Sequence, residues 1–528
     1  MGNDKLVYLK PNVIFEPLVN RWYAWPYIIS PGTAAMYVAN HHLRLMQSFA
    51  TAPQIHVEAL KNPDMRGGPF VRYDTNRAGE IQALHDKTRR EQAPLLEFAA
   101  AIKALNELLA TEAVGSSLEP LYAKVPEVLR GYVELAYDLH HRASFRLFEA
   151  LLYDSEFYRE SNQQLAMSEL QSDARAFALS TPRLEGDGTV TLDLPFAHAL
   201  VDELAKARYK PKPRGFWLDT LAPHGVDVDR FFTEQSPAPF PSWDDESVRI
   251  RYFGHACILV QSKGVSVLFD PLLPYPQAAG APRFGFGDLP AVVDYAVITH
   301  NHQDHVLIET LLQLRHRIGT VVVPSNSPGN LADPSLKLLF QRLGFRRVVS
   351  IGELESIEFD GGSLTALPFL GEHGDLNVCS KAAHLLKVHG KTILCAADSN
   401  NLESRVYDYT KAMAGEVDVL FLGMECRGAP MSWLYGPLLA KPIVRKHDQT
   451  RRLDGSDSRK ALELVDRLKP SQAYVYAMGA EPWMGFITSI EYDADSEPIV
   501  QSNHFVAECR RRGIVSERLF GRKDLILE

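Results

Sequence analysis

The stretch ITHNHQDHV, residues 298–306, contains four potential metal ligands within six positions and directly follows the apolar run AVVDYAVI. If YAVIT is a strand, an extended exit points His300 and His302 to the same side, because side chains alternate along a strand. Asp304 and His305 follow where the chain turns into the helical pattern VLIETLLQL. These side chains predict a site for two neighbouring metal ions, because packing them without metal would leave several polar groups unpaired.

Two later segments end apolar strand patterns with carboxylates. LTALPFLGEHGDLNV, residues 364–378, presents Glu372 and His373, and KTILCAADSN, residues 391–400, ends its strand at Asp398. A carboxylate at the end of a buried strand costs free energy unless it is paired or bound to a metal. We therefore predict that Asp398 is a ligand shared by two ions. In the earlier segment, the residues alone leave open whether Glu372 or His373 is the ligand.

A third carboxylate, Glu425, closes the apolar run VDVLFLGMEC at residues 417–426. Two interpretations of it remain open. It can form a buried ion pair with a neighbour such as Arg427, or it can belong to the metal site together with the other carboxylates that follow strands.

The composition restricts the class of protein. The chain has 528 residues, of which 46% are hydrophobic and 23% charged, so two or three globular domains are expected. A net charge of −9 argues against broad binding to nucleic acids or anionic membranes. No apolar run is long enough to span a bilayer, and the start MGNDKLVYLKPN lacks the layout of a signal peptide. Five widely spaced cysteines are typical of reduced thiols, so a cytoplasmic location is expected.

The first 235 residues are predicted to form a mainly helical domain. Residues 94–110 and 125–154 carry apolar side chains at helical spacing, and the alternating residues 188–194 predict a strand. The pairs His41–His42 and His140–His141 are expected to lie in helical segments and to have packing roles or to lie on the helix surface.

Residues 236–247 are predicted to be a linker, because this stretch holds three prolines within five positions, and such a run cannot continue a helix or a central strand. From residue 248 to residue 528, short strand patterns such as YAVIT and TVVVP alternate with helical patterns such as LIETLLQLRHR. This alternation predicts an α/β domain with helices packed on sheets.

Three motifs in a fixed order carry a family resemblance. HxHxDH at 300–305, FGHACILV…LFDP at 253–271 and AADS at 396–399 together resemble the metallo-β-lactamase fold. The resemblance covers approximately residues 248–528 and implies an αββα sandwich with a two-metal site at the sheet edge.

One departure narrows this resemblance. Where hydrolytic members usually place a histidine ligand, the chain reads GEHGDL, with Glu372 directly before His373. With the large N-terminal domain, this feature is similar to the di-iron β-hydroxylases of nonribosomal peptide biosynthesis, of the type found in the chloramphenicol pathway. The resemblance implies one iron held by His300, His302 and Glu372, the other held by Asp304 and His305, Asp398 shared by both, and Glu425 just outside the ligands.

The donor set also suits iron on chemical grounds. Three imidazoles and three carboxylates are richer in hard oxygen donors than a typical structural zinc site, and zinc in this site would indicate hydrolysis because zinc has no redox chemistry. Many members of the fold supply a last histidine ligand near the end of the chain. Glu481, His504 or water are the candidates for that position here, and His255 is expected to lie outside the ligand set.

The resemblance implies an O2-dependent monooxygenase that hydroxylates the β-carbon of an amino acid held as a thioester on a nonribosomal peptide synthetase carrier domain. An external electron donor, a reductase, is expected, because GFGDLP at residues 285–290 lacks the third glycine of a dinucleotide site. The alternative is a binuclear metal-dependent hydrolase. A carrier domain is usually acidic and its arm bears a phosphate, so the basic segment 444–460 is a candidate docking patch. Its cations are Arg445, Lys446, Arg451 and Arg452.

We predict that the N-terminal domain forms a homodimer or docks the substrate-bearing protein. The aromatic stretch RWYAWPYIISPG, residues 21–32, is expected to expose more apolar surface than a monomer tolerates, and the resembling group dimerises through this domain. Analytical ultracentrifugation of the full chain at micromolar concentration should show a dimer, whereas residues 245–528 alone should not dimerise. A monomeric full chain would contradict the prediction.

Overall fold

The computed structural model describes residues 2–186, 188–277 and 280–528. The strands of the N-terminal region are β1 (Leu6–Leu9), β2 (Val13–Val19), β3 (Trp22–Tyr23), β4 (Val133–Tyr137), β5 (Ala143–Leu147), β6 (Gln163–Glu169), β7 (Val190–Asp193), β8 (Lys212–Pro213) and β9 (Phe232–Thr233). Its α-helices are α1 (Pro26–Ile29), α2 (Pro31–Tyr37), α3 (Leu43–Thr51), α4 (Pro53–Ala59), α5 (Ala78–Glu91), α6 (Ala93–Glu112), α7 (Glu149–Tyr153), α8 (Ala199–Lys206), α9 (Arg214–Leu221) and α10 (Val228–Phe231).

The N-terminal region combines these helices with small sheets of strand order β3-β2-β6-β7, β8-β1-β9 and β4-β5. The helix predicted over residues 94–110 is confirmed as α6. Its buried side chains include Leu95, Phe98, Ile102 and Leu105, which stand at the predicted three- and four-residue steps. The strand predicted over 188–194 is also present, as β7.

The helix predicted over residues 125–154 is wrong. The chain there forms the antiparallel hairpin β4–β5, followed by the short helix α7. The turn is built by Asp138, whose Oδ1 accepts hydrogen bonds from the backbone N–H groups of His140 and Arg142. His140 and His141 therefore lie in a hairpin turn, where His141 adopts a positive φ of 57°, and not on a helix.

The aromatic stretch 21–32 is buried inside the chain, which corrects the expectation that it is exposed. Trp22, Trp25 and Tyr27 are each at most 3% exposed. His42, in the π-helical turn Val38–His42 between α2 and α3, stacks on Trp22 at 3.9 Å between ring centroids. The packing role expected for His42 is thus observed, and the homodimer remains a prediction that now rests on the family resemblance alone.

The strands from residue 248 onward are β10 (Val248–Gly254), β11 (Cys257–Ser262), β12 (Val265–Phe269), β13 (Val293–Val297), β14 (Ile318–Pro324), β15 (Val348–Ile351), β16 (Ser356–Phe359), β17 (Gly362–Leu367), β18 (Ala383–Val388), β19 (Lys391–Cys395), β20 (Val419–Gly423), β21 (Gln472–Tyr476), β22 (Val515–Arg518) and β23 (Lys523–Leu527). The helices are α11 (Ile308–Leu314), α12 (Leu336–Arg342), α13 (Arg405–Ala414), α14 (Met431–Tyr435), α15 (Arg445–Asp448), α16 (Ser458–Leu468), α17 (Gly485–Thr488) and α18 (Glu497–Arg511).

These strands form two sheets of strand order β15-β14-β13-β12-β11-β10-β23 and β16-β17-β18-β19-β20-β21-β22. Apolar side chains of both sheets, among them Val260, Leu386 and Phe421, make one shared core. Helices α11 and α12 cover the outer face of the first sheet, and α13, α16 and α18 cover that of the second. The expected αββα sandwich is therefore observed. The division into domains at residues 236–247 stays a prediction, although the chain has no helix or strand between β9 and β10.

Strand direction brings the candidate ligands together. Strands β12 to β15 are parallel to one another, as are β19 to β22, and β17 runs in the same direction as β19 because both pair antiparallel with β18. The carboxyl ends of such strands meet at one edge of a sheet, which is where ligand sites of open α/β sheets form. His300 follows β13, Glu372 follows β17 and Asp398 follows β19.

A buried ion network joins the N-terminal region to the helix that follows the histidine cluster. Arg175 Nη2 lies 2.6 Å from Glu16 Oε1 and 2.6 Å from Glu309 Oε2, and Glu309 belongs to α11. Glu309 also accepts hydrogen bonds from the hydroxyl groups of Tyr23 and Tyr275, each over 2.8 Å. The N-terminal region thereby anchors α11, which begins three residues after His305.

Among the described residues, no helix is long and apolar enough to cross a membrane.

The network predicts a pH-dependent stability. Burial alone would raise the pKa of Glu16, but the charges of Arg183 and Arg175 lower it from 4.5 to about 2. A lowered pKa stabilises the fold above the unfolded-state value, and this contribution is lost as pH falls from 4.5 towards 2. Glu16→Gln should therefore lower the free energy of unfolding at neutral pH by about 3 kcal/mol and flatten its acid dependence.

Chemical denaturation at several pH values measures both effects. The matched control is Glu234→Gln, because Glu234 pairs with Lys5 at the exposed surface. That change should cost at most about 1 kcal/mol. Equal losses in the two variants, or an unchanged acid dependence in Glu16→Gln, would contradict the prediction.

Candidate metal centre

Three overlapping groups of side chains, all buried except the partly exposed Asp304, can each hold a metal ion. Within each group the ligand atoms lie within 4.8 Å of one another. The groups are His300, His302 and Glu372; His300, His305 and Asp398; and His255, Asp304 and His305. The structure thus brings together every residue that the sequence predicts as a metal ligand.

The two carboxylates of Glu372 and Asp398 stand between the imidazoles. Glu372 Oε1 lies 2.5 Å from His302 Nδ1, and its Oε2 lies 3.5 Å from His300 Nε2. Asp398 Oδ2 lies 2.9 Å from His305 Nε2 and 3.9 Å from His300 Nε2. Asp398 therefore contacts groups from both expected ligand sets, as a shared ligand would.

Unpaired polar atoms indicate that these residues fit metal ions. His300 Nε2, Glu372 Oε2 and Asp398 Oδ1 are buried and have no hydrogen-bond partner. Leaving such atoms unpaired costs free energy, which bonds to a cation would offset. Neutral imidazoles and carboxylates are also the protonation states that bind metals, and burial lowers the pKa of His302 to about 4 against the opposing charge of Asp304.

The carboxylates repel one another in the absence of a cation. Burial and the nearby Asp398 raise the pKa of Glu372 well above its usual range. The pKa of Glu425 is also raised, by burial and by the charges of Asp398 and Asp304. A centre of this kind favours cations of high charge, because they neutralise several carboxylates at once.

Hydrogen bonds select which nitrogen of each histidine faces the centre. His305 Nδ1 lies 2.8 Å from Asp270 Oδ2, which leaves Nε2 directed at Asp398. His302 Nε2 lies 3.0 Å from the Tyr435 hydroxyl, which leaves Nδ1 directed at Glu372. Partners of this type fix the tautomer and ring orientation of a metal-bound histidine.

Sequence reasoning missed both partners, Asp270 and Tyr435. Asp270 ends β12 in LFDP, so the signal that identified Asp398, a carboxylate closing an apolar strand, also applies to it. Asp270 further accepts hydrogen bonds from the backbone N–H and the hydroxyl of Thr299, over 2.8 and 2.6 Å. Tyr435 is 133 positions from His302, and no local pattern connects them.

His255 reaches the centre but its hydrogen bonds favour a supporting role. Its Nε2 lies 3.3 Å from Asp304 Oδ2. Its Nδ1 accepts the backbone N–H of Gly479 over 3.1 Å, so the ring proton of the neutral form is on Nε2 and points at Asp304. A protonated nitrogen cannot bind a metal. This geometry supports the expectation that His255 orients a ligand and is not itself one.

The remaining candidates for a last ligand lie elsewhere. The carboxylate of Glu481 accepts a short hydrogen bond from the Tyr252 hydroxyl, and His504 is exposed on α18. Neither belongs to a metal-capable group in the described part of the chain. His373 is likewise outside these groups, and its Nδ1 lies 3.2 Å from the Gly371 carbonyl oxygen. The same nitrogen lies 3.1 Å from Glu372 Oε2, and Glu372 also faces the imidazoles of His300 and His302.

Glu425 faces the same cavity as the ligands. Within the described residues it forms no ion pair with Arg427, whose side chain is exposed. The cavity has a volume of about 1130 Å³, and its lining includes Glu372, Asp398 and Glu425 together with Met65 and Arg66 of the N-terminal region. This volume accommodates a small organic substrate.

The basic segment is only partly available for docking. Arg445 and Arg452 line the cavity, and Lys446 is exposed. Arg451 instead donates a hydrogen bond to the Gly374 carbonyl oxygen over 2.9 Å, which holds the loop after Glu372.

The sandwich and its buried ligand groups define a binuclear metal enzyme of the metallo-β-lactamase fold. A family model described as the N-terminal domain of di-iron non-haem β-hydroxylases matches residues 8–236, and a model of a β-lactamase superfamily domain matches residues 249–423. Together with the full-length relative described next, these matches show that the chain belongs to the di-iron non-haem β-hydroxylase family.

One relative aligns along the whole chain. The 4-amino-L-phenylalanyl-[CmlP-peptidyl-carrier-protein] 3-hydroxylase of Streptomyces venezuelae is 39% identical over 98% of this chain and 99% of its own length. The crystal structure of CmlA, a di-iron β-hydroxylase from Streptomyces venezuelae, matches with a TM-score of 0.92 at 39% identity over 99% of this chain and 100% of that chain. The structure of a mutant of the CmlA β-hydroxylase matches with a TM-score of 0.89 at 38% identity, and the match covers 99% of this chain and 100% of that chain. The family resemblance and the fold class are confirmed, and the hydrolase alternative is not supported.

The ligand geometry predicts the metal content. The isolated protein should carry about two irons per chain, and His302→Ala or Asp304→Ala should lower this number to about one or fewer, because each change removes a ligand. Iron quantification measures the loss, and circular dichroism should show an intact fold. The control is His504→Ala, which removes an exposed imidazole. Full metal content in His302→Ala would contradict the ligand assignment.

Proposed function

We propose that this protein is an O2-dependent di-iron monooxygenase that hydroxylates the β-carbon of an amino acid tethered as a thioester to a carrier domain of a nonribosomal peptide synthetase. The observation that carries the proposal is the position of Glu372 between His300 and His302, which gives the centre a third buried carboxylate. The full-length relative, named as a hydroxylase of a carrier-bound aminoacyl group, supports the same reaction and substrate class.

The proposed ligand set follows the observed groups. His300, His302 and Glu372 would hold one iron, Asp304 and His305 the other, and Asp398 would be shared. When bound, the irons would supply the redox chemistry that activates O2, which zinc does not supply. Hard carboxylate ligands stabilise the higher oxidation state of iron.

The protein orients the metal ligands and the substrate around this centre. Asp270 and Tyr435 hold the rings of His305 and His302 in place. Glu425 stands on the cavity wall beside the ligands, where its carboxyl group can hydrogen-bond the substrate or the iron ligands. The walls of the cavity restrict which C–H bond of the tethered amino acid approaches the centre.

Two further proteins are part of the proposal. The carrier domain presents the substrate, and the phosphate on its arm suits the cations Arg445 and Arg452 at the cavity. An external reductase supplies the electrons. We further propose a homodimer and a cytoplasmic location, in agreement with the expectations from the sequence.

The role of Glu372 provides the sharpest test. Glu372→Ala should lower hydroxylation by about 10²-fold or more, because a preorganised anionic contact is lost. Glu372→His should not rescue hydroxylation, because a neutral imidazole cannot replace the charge. The measurement is the product formed per reduced metal site after one exposure to O2, with a panel of aminoacyl-loaded carrier domains as substrates.

His373→Ala is the matched control, since it removes the adjacent side chain, which lies outside the metal-capable groups described here. It should retain metal and hydroxylation. If His373→Ala loses metal while Glu372→Ala hydroxylates normally, the ligand assignment is reversed. If wild-type protein with a full metal site hydroxylates none of the carrier-bound amino acids, the proposed function is wrong.

A further inference from the structure

A second concave surface lies beside the metal cavity. It is formed by α3, α6 and residues 432–442, and we refer to it as the helix groove. Its volume is about 910 Å³. Leu43, Leu96 and Leu439 contribute partly exposed apolar side chains to it. A groove of this kind, between helices and with an apolar floor, fits an amphipathic helix of another protein.

The helix groove and the metal cavity share one wall. Trp433 lines both of them, and it belongs to α14. The loop after α4 completes the wall with residues 67–69. Gly67 lines the cavity, Pro69 lines the groove, and a Cβ at Gly67 would lie 3.8 Å from the Trp433 ring. A molecule seated in the groove is therefore separated from the metal cavity by a single ridge of side chains.

The charge of the helix groove differs from that of the whole chain. The chain has a net charge of −9, which repels an acidic partner. Arg44 and Lys103 line the groove as exposed cations, and none of the described residues that line it is an Asp or a Glu. The exposed cation Lys441 lies in the adjoining segment. An acidic protein that must bind this chain meets a complementary surface in the groove.

We propose that the helix groove is the docking site of the acidic carrier domain. This inference rests on the proposed function, which makes a carrier-bound amino acid the substrate. The carrier would place an acidic amphipathic helix against Leu43, Leu96 and Leu439, with its carboxylates near Arg44 and Lys103. Its arm would then cross the ridge at Trp433 and deliver the aminoacyl group into the metal cavity, where Arg445 and Arg452 stand near the path of the phosphate.

Charge reversal tests this inference on the full-length metal-loaded protein. The double variant Arg44→Glu/Lys103→Glu should raise the Kd and the KM for an aminoacyl carrier domain by about tenfold or more, with kcat at saturation unchanged, because docking and not chemistry is altered. The dependence of Kd on ionic strength should also become weaker. The control is Lys337→Glu, which reverses an exposed charge on α12, away from the groove, and should leave Kd unchanged.

The probe is a panel of aminoacyl-loaded carrier domains that includes CmlP loaded with 4-amino-L-phenylalanine, the substrate named for the relative. If wild-type protein hydroxylates a member and the double variant binds it equally well, the docking inference is wrong and the proposed function stands. If wild-type protein hydroxylates none, the proposed function fails and the inference falls with it. A double variant that loses dimerisation while keeping its Kd would show that the groove is an interface between two copies of the chain, which also overturns the inference.

Discussion

The structure depends on the neutralisation of several carboxylates that are buried at one edge of the sandwich. Glu372, Asp398 and Asp304 all stand within a few ångströms of imidazole nitrogens at this edge. Without cations their mutual repulsion and the cost of burial oppose folding of the site. With two cations the same groups become ligands, so metal binding and the local structure support each other.

The supporting hydrogen bonds show why the centre tolerates little change. Two of the three metal-facing imidazoles are oriented by Asp270 and Tyr435, which contact the opposite side of the rings of His305 and His302. His300 Nδ1 in turn lies 3.0 Å from the Thr299 hydroxyl. His255 is held by the Gly479 backbone and directs a proton towards Asp304. These partners come from distant parts of the chain, so the geometry of the centre depends on the folding of the whole catalytic domain.

The N-terminal region supports the metal centre through direct contacts with the catalytic domain. Its ion network anchors α11 directly after the histidine cluster, and Tyr27 packs against Tyr435 at 6.0 Å between ring centroids. Met65 and Arg66 line the metal cavity. Packing of the aromatic stretch against α14 explains why its side chains are buried within one chain, although its composition is typical of an interface.

The sequence by itself determined the fold class and predicted the candidate ligands, apart from the choice between Glu372 and His373. Residues at strand ends carry a local signal, because a polar side chain after an apolar run costs free energy unless it is paired or bound to a metal. It also determined the apolar face of α6, whose period is local. Only the tertiary structure decided the hairpin β4–β5, the partners Asp270 and Tyr435, and the tautomer of His255. The two partners and the tautomer depend on contacts between residues far apart in the chain, which leave no periodic pattern in the sequence. The hairpin is local, but its turn depends on hydrogen bonds to the Asp138 side chain that the apolar spacing of residues 125–154 did not reveal.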